Sequence, residues 1–129
     1  MVRNEAEALM DIEAVLELAE EGPIVEATIN GHAVRALIDT GAEATCVTRD
    51  LAHELGLPKR GRRWYDSRNN IEADIYSGTL IVSGRTFDEV PLNEFPIAPH
   101  KTFRMILVRD ILVSFVLNYN GPEGTFSLQ

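Results

Sequence analysis

Asn30-Gly31 lies between two runs of alternating apolar and polar residues, 24–29 and 32–38, and no other dipeptide commits this chain so firmly to one local shape. A two-residue loop twisted to match its strands needs φ > 0 at both positions, which asparagine tolerates and glycine adopts freely, so the spacing predicts a tight β-hairpin. The returning strand closes on Leu37-Ile38, and the pattern then breaks at Asp39-Thr40-Gly41-Ala42. An acid directly behind two core-forming residues is carried to the rim of the core and aimed into a cleft. Thr40 can fix the turn through its hydroxyl, and Gly41 lets another backbone come close. Asp39 is therefore the candidate site residue.

The remaining chain reads as many short strands with few helices. Ahead of the hairpin, Asn4 with Glu7 resembles a capping box, and Leu9, Ile12, Leu16 and Ala19 recur at helical spacing until Gly22-Pro23. This predicts an amphipathic acidic helix over residues 1–22, an extension preceding a single domain over 23–129. Behind Asp39, 44–47 reads as a short strand, and Thr48 can cap a helix carrying Leu51, Ala52 and Leu55 up to Gly56-Leu57-Pro58. Residues 59–70 are polar and basic without apolar periodicity, which predicts a long connection. Strands are expected over 71–82, 85–92 and 105–108, with Pro91, Pro96 and Pro99 marking an irregular passage, then a helical turn over 109–112 and a closing pair, 115–119 with 125–128. The expected class is all-β, a closed or folded-over sheet with short helices.

Composition narrows the functions open to such a fold. Twelve basic against twenty acidic residues give a net charge of -8, which argues against a general nucleic-acid binder. The run Lys59-Arg60-Gly61-Arg62-Arg63 reads as a solvated loop, able to meet acidic substrate residues or the acidic amino-terminal helix. One cysteine, Cys46, excludes an internal disulfide framework, and its place in an apolar strand reads as core filling rather than as a nucleophile served by His53. His32, His53 and His100 lack ligand spacing, so neither a metal nor another cofactor is implied. No apolar run is long enough to span a bilayer and no leader is evident. A cytoplasmic, soluble protein, or a piece released from a longer polyprotein, is expected, with no membrane partner.

Asp39-Thr40-Gly41-Ala42 resembles the signature of retropepsins, the single-domain aspartic proteases of retroviruses and some cellular genomes. Pro23-Ile24-Val25, Asn30-Gly31, Leu37-Ile38 and Ile106-Leu107-Val108-Arg109-Asp110 match further family landmarks in order, so the likeness covers residues 23–129. It implies a retropepsin-like closed sheet completed as a two-fold homodimer. Peptide bonds would be hydrolysed by a water held between Asp39 of two subunits, because two carboxylates sharing one proton supply both base and acid. By the same resemblance Thr40 and Gly41 support the dyad, Gly41, Ala42, Glu43 and Val108 contact a polypeptide substrate, and Arg109 pairs with Glu43. The strand 125–128 would join a sheet between subunits. Trp64, Tyr65, Ser67, Arg68, Asn69 and Asn70 fall where the family has its flap, here without the usual glycines. Val108 stands where the family has glycine, and a β-branched residue would be strained if that backbone needed φ > 0. These two departures motivate an alternative reading, a catalytically silent dimer of the same fold that binds peptides.

Overall fold

Asn30 and Gly31 take φ of 49° and 84°, and around that turn β1 (Ile24–Ile29) pairs antiparallel with β2 (His32–Ile38) from Ile29 with His32 to Ile24 with Leu37. The computed structural model describes the backbone of residues 5–66 and 71–129 and the side chains of 12–63 and 72–129. Helix α1 (Glu5–Glu21) precedes the hairpin. After it come β3 (Cys46–Val47), α2 (Arg49–Glu54), β4 (Lys59–Asp66), β5 (Ile71–Val82), β6 (Arg85–Glu94), β7 (Met105–Leu107), α3 (Arg109–Leu112), β8 (Leu117–Asn120) and β9 (Thr125–Leu128).

Six strands close into a barrel in the order β1-β2-β7-β3-β6-β5, with β5 returning to β1 through Ala27 to Ile29 against Leu80 to Val82. Closure leaves β4, laid outside on β5, as the free edge, and the inward positions make one core in which Ile29, Ala36, Val47, Leu80, Leu92, Met105 and Leu107 are fully buried. Gly78 lies where β5 crosses the hairpin. A Cβ there would stand 3.0 Å from Ile29 Cγ2 and 3.1 Å from Leu92 Cδ1, so the crossing depends on a missing side chain. Pro91 fits inside β6 because its cross-strand partner Ser77 sends its N–H to the Pro58 carbonyl, away from β6. That pair is a non-hydrogen-bonded one, and the ladder loses nothing at a residue without an N–H.

Three expectations need correction. Residues 59–66 are not a connection but strand β4, laid on β5 with Arg62 opposite Asp74 and Arg63 opposite Ala73. This strand carries charge instead of apolar alternation because it forms the outer edge of the sheet, where bases discourage further strand addition. Its bases are not left to the amino-terminal helix either: Lys59 Nζ lies 3.2 Å from Asp74 Oδ2, and Arg62 reaches Glu72 at 2.8 Å and Asp74 at 3.2 Å. Finally, α1 does not bury the stripe read from its periodicity. Ile12 and Leu16 are each 54% exposed and Ala19 is exposed, whereas Leu18 is buried. The helix is turned this way by contact at Gly124, in the β8–β9 turn, where a Cβ would come within 2.4 Å of the backbone of Ala14 and Val15. Asn4 and the side chains of Glu7 and Leu9 lie outside the described residues.

The other boundaries shift by a residue or two. The strand after the Asp39 turn is limited to Cys46–Val47, β6 runs on to Glu94, and β8 begins at Leu117, although Val116 and Gln129 extend its pairing with β9 by two backbone bonds of 2.8 and 2.9 Å. Thr48 caps α2 as expected, accepting from Leu51 N at 3.2 Å. Among the described residues no helix is long and apolar enough to cross a membrane.

Candidate active site

Strand β2 is held on both sides up to its last residue. Ile38 N donates to Pro23 O at 2.9 Å, Asp39 N donates to Leu107 O at 2.9 Å, and Ala36, Leu37 and Ile38 run parallel to Met105, Ile106 and Leu107 of β7. Two central strands thus fix the backbone that delivers Asp39, whose side chain emerges exposed at the barrel rim. Gly41 N donates to Asp39 Oδ1 at 2.8 Å, a turn closed by the carboxylate itself. A Cβ on Gly41 would sit 3.1 Å from that oxygen, so glycine is what lets the carboxylate fold onto the following backbone. Thr40 and Glu43 are exposed and Ala42 is half-buried. No hydrogen bond or ion pair joins Asp39 to a second carboxyl group of the described residues.

The loop carrying Asp39 is tied at its far end to α3. Thr45, fully buried, donates its N–H to Asp110 Oδ2 at 3.0 Å and its hydroxyl to Asp110 Oδ1 at 2.7 Å. Arg109 Nε donates to Ala42 O at 2.9 Å. Glu43 is a lesser partner: its carboxylate lies 3.8 Å from Arg109 Nη2 and is 92% exposed, and a pair in that setting contributes little. Sequence reasoning singled out Arg109 and Asp110 together but gave Asp110 no role and passed over Thr45. The available signal was the polar Thr45 at the head of an apolar strand opposite an acid that opens a helical turn.

Val108 caps α3 with φ -126° and ψ -166°, extended backbone that any residue adopts, and its side chain is fully buried. Strain from a left-handed backbone does not arise here. Cys46 is buried and free, with Sγ 3.1 Å from Ala44 O. Burial pushes its thiol pKa up, against a smaller lowering by Arg63, and nearby Asp110 and Asp39 raise it further. A thiol so placed stays protonated, which fits core filling rather than a nucleophile. His53 is exposed on α2, set edge-on to Tyr76 with ring centroids 6.4 Å apart. Trp64 and Tyr65 stand on β4 by their backbone, their side chains and residues Ser67, Arg68, Asn69 and Asn70 lying outside the described residues. Among the described residues no cluster of His, Cys, Asp and Glu could hold a metal ion.

A second polar cluster joins the β4–β5 arm to the barrel. Glu94 at the end of β6 accepts Tyr76 OH at 3.0 Å and Arg49 Nη2 at 2.8 Å. Burial, then the bond to Glu94, pushes the Tyr76 phenol up to about 12. Arg62 first, then Lys59, hold the Asp74 carboxyl below its usual range.

A closed barrel that ends one strand in an Asp-Thr-Gly turn, with a parallel neighbour and a helical turn behind it, is the retropepsin-like aspartic protease fold. The chain belongs to the family described as "gag-polyprotein putative aspartyl protease", whose model matches residues 25–105. Its fold is similar to that of a retropepsin-like aspartic protease from Rickettsia conorii, with 17% identity, a TM-score of 0.57 and 75% of each chain covered. The simian foamy virus (mac) protease matches at 25% identity and a TM-score of 0.52 over 67% of this chain and 87% of that one. The retroviral protease-like domain of Ddi1 from Leishmania major matches at 16% identity and a TM-score of 0.54, covering 81% and 86%. No curated protein matches the sequence.

Proposed function

We propose that this chain is an aspartic endopeptidase that works as a homodimer, with Asp39 of each copy forming the catalytic dyad. The observation that carries the reading is Asp39 itself: an exposed carboxylate at the end of a strand fixed on both sides, with Gly41 N bonded to one oxygen at 2.8 Å. One such group is half of a general acid–base pair. A two-fold axis through the Asp39 loops would supply the other half, and a single proton shared between the carboxylates would let one activate water while the other protonates the carbonyl oxygen. Residues 23–129 would form the peptidase unit. Thr40 and Gly41 would support the dyad, and Gly41, Ala42 and Glu43 would face the polypeptide. The buried Val108 would act from below, by filling the space beneath the loop. Its extended backbone carries no left-handed strain, which supports the enzyme reading over the silent dimer on that one of the two departures, the flap residues Ser67 to Asn70 lying outside the described residues.

Asp39→Asn tests it. The amide retains an acceptor for Gly41 N, so fold and self-association should persist while cleavage of a mixed peptide library falls by on the order of 10³. Cleavage by the wild type should also fall on dilution in step with dissociation of the dimer measured by sedimentation. Full activity in Asp39→Asn, or activity that follows a monomer, refutes the shared dyad.

A further inference from the structure

Strands β8 and β9 form a two-stranded sheet of their own, outside the closed barrel. A lone hairpin is marginal in water, so its place on the barrel depends on what holds it. Leu128 anchors β9 in the core, and Ser83 Oγ donates to Leu128 O at 3.1 Å. The approach to β8 is held from the neighbouring β5–β6 hairpin by Arg85. Its guanidinium carbon stands 4.9 Å from the centre of the Phe115 ring, Nη1 donates to Ser114 O, and Phe87 meets the same ring with centroids 6.0 Å apart. Among the described residues Arg85 makes no ion pair, so the ring and the carbonyl are its partners.

The segment that Arg85 grips begins where the support of the Asp39 loop ends. Helix α3 is bonded to that loop by Arg109 Nε with Ala42 O at 2.9 Å and by Asp110 with Thr45 at 2.7 Å, and Ser114 and Phe115 lie between α3 and β8. Glu123 is the only charged side chain from 111 to 129, and Val113, Val116 and Tyr119 are 80%, 62% and 56% exposed. The other open edge, β4, carries Lys59, Arg60, Arg62 and Arg63, and such charge discourages strand addition. The β8–β9 sheet has no such protection. A dyad half complete in one copy requires a second copy to approach the Asp39 loop, and this uncharged, partly apolar surface is bonded to that loop through α3.

We propose that Arg85 is a positioning residue for the shared site: by gripping the Phe115 ring and the Ser114 carbonyl it holds α3 and β8 at the angle at which a second copy docks beside the Asp39 loop. The proposal rests on the dimeric peptidase reading. Sedimentation of the full chain carrying Asp39→Asn measures the dissociation constant of the dimer without cleavage during the run, and cleavage of the mixed peptide library is followed on dilution of chains that keep Asp39. Arg85→Ala should raise the dissociation constant roughly tenfold, and Arg85→Lys, which keeps a cation for the ring and a donor for the carbonyl, should restore most of the loss. Phe115→Leu should also weaken the dimer, and Arg85→Ala should add little on top of it. Cleavage lost in Arg85→Ala should return as the protein concentration is raised, with KM unchanged. Hydrogen exchange of the monomer should quicken over residues 113–129 and not over 24–38. An unchanged dissociation constant in Arg85→Ala, or no recovery in Arg85→Lys, overturns the proposal and leaves the shared dyad standing. So does faster exchange over both segments, the mark of a general loss of stability. A wild type that stays monomeric at every concentration refutes the shared dyad and this proposal with it.

Discussion

Asp110→Ala removes the carboxylate that holds the far end of the Asp39 loop, and its cost follows from Thr45. That residue is fully buried, and its amide and hydroxyl both donate to Asp110, at 3.0 and 2.7 Å. A buried donor left without an acceptor costs about 1–3 kcal/mol, so two of them cost about 2–6 kcal/mol. Asp110 is itself exposed, and water can enter part of the vacated space, which places the expected loss near 3 kcal/mol. With a urea slope of about 2 kcal/mol per molar, the unfolding midpoint should fall by roughly 1.5 M at unchanged slope. Thr45→Val keeps the shape and removes only the hydroxyl, so it should cost about half as much, and the double variant should cost about 1 kcal/mol less than the sum. Urea titration followed by far-ultraviolet circular dichroism measures all three. A midpoint shift under about 0.5 M for Asp110→Ala, or strict additivity, would show that this pair does not anchor the loop.

Val108→Gly should destabilise by about 2–3 kcal/mol, from a cavity under the loop and a looser unfolded backbone, without raising peptide cleavage. A gain in cleavage would show that the valine impairs the site after all. Tyr76 makes stability fall at alkaline pH. Its folded pKa of about 12 lies above the ordinary 10, so the unfolded chain loses the proton first; the contribution is complete below pH 10 and gone as pH rises through 12. Thermal melts between those values should therefore decline more steeply for the wild type than for Tyr76→Phe, and parallel declines would contradict the buried bond to Glu94.

The local grammar of this chain is unusually complete. Asn30-Gly31 fixes a hairpin because few residues accept φ > 0 twice in succession, and Leu37-Ile38 before Asp39 places an acid where a core strand ends. Thr48 marks the start of α2 because its hydroxyl serves an amide three residues on. These features depend on neighbours in sequence, and the sequence alone determined them, along with an all-β class and the position of Asp39.

What only the tertiary structure decided are the relations between segments distant along the chain. Lys59 to Arg63 read as a loop because their partners, Glu72 and Asp74, lie across a strand pair rather than at a helical or alternating spacing. The helix α1 turned Leu18 inward, leaving Ile12 and Leu16 in solvent, because its orientation is set by a backbone contact at Gly124, more than a hundred residues away. Thr45 met Asp110, and Val108 found an extended backbone in which a β-branched side chain fills the core without strain. Periodicity records which residues could share a face. Closing the barrel chooses which face is covered, because burial is a property of the whole assembly of strands rather than of any one of them.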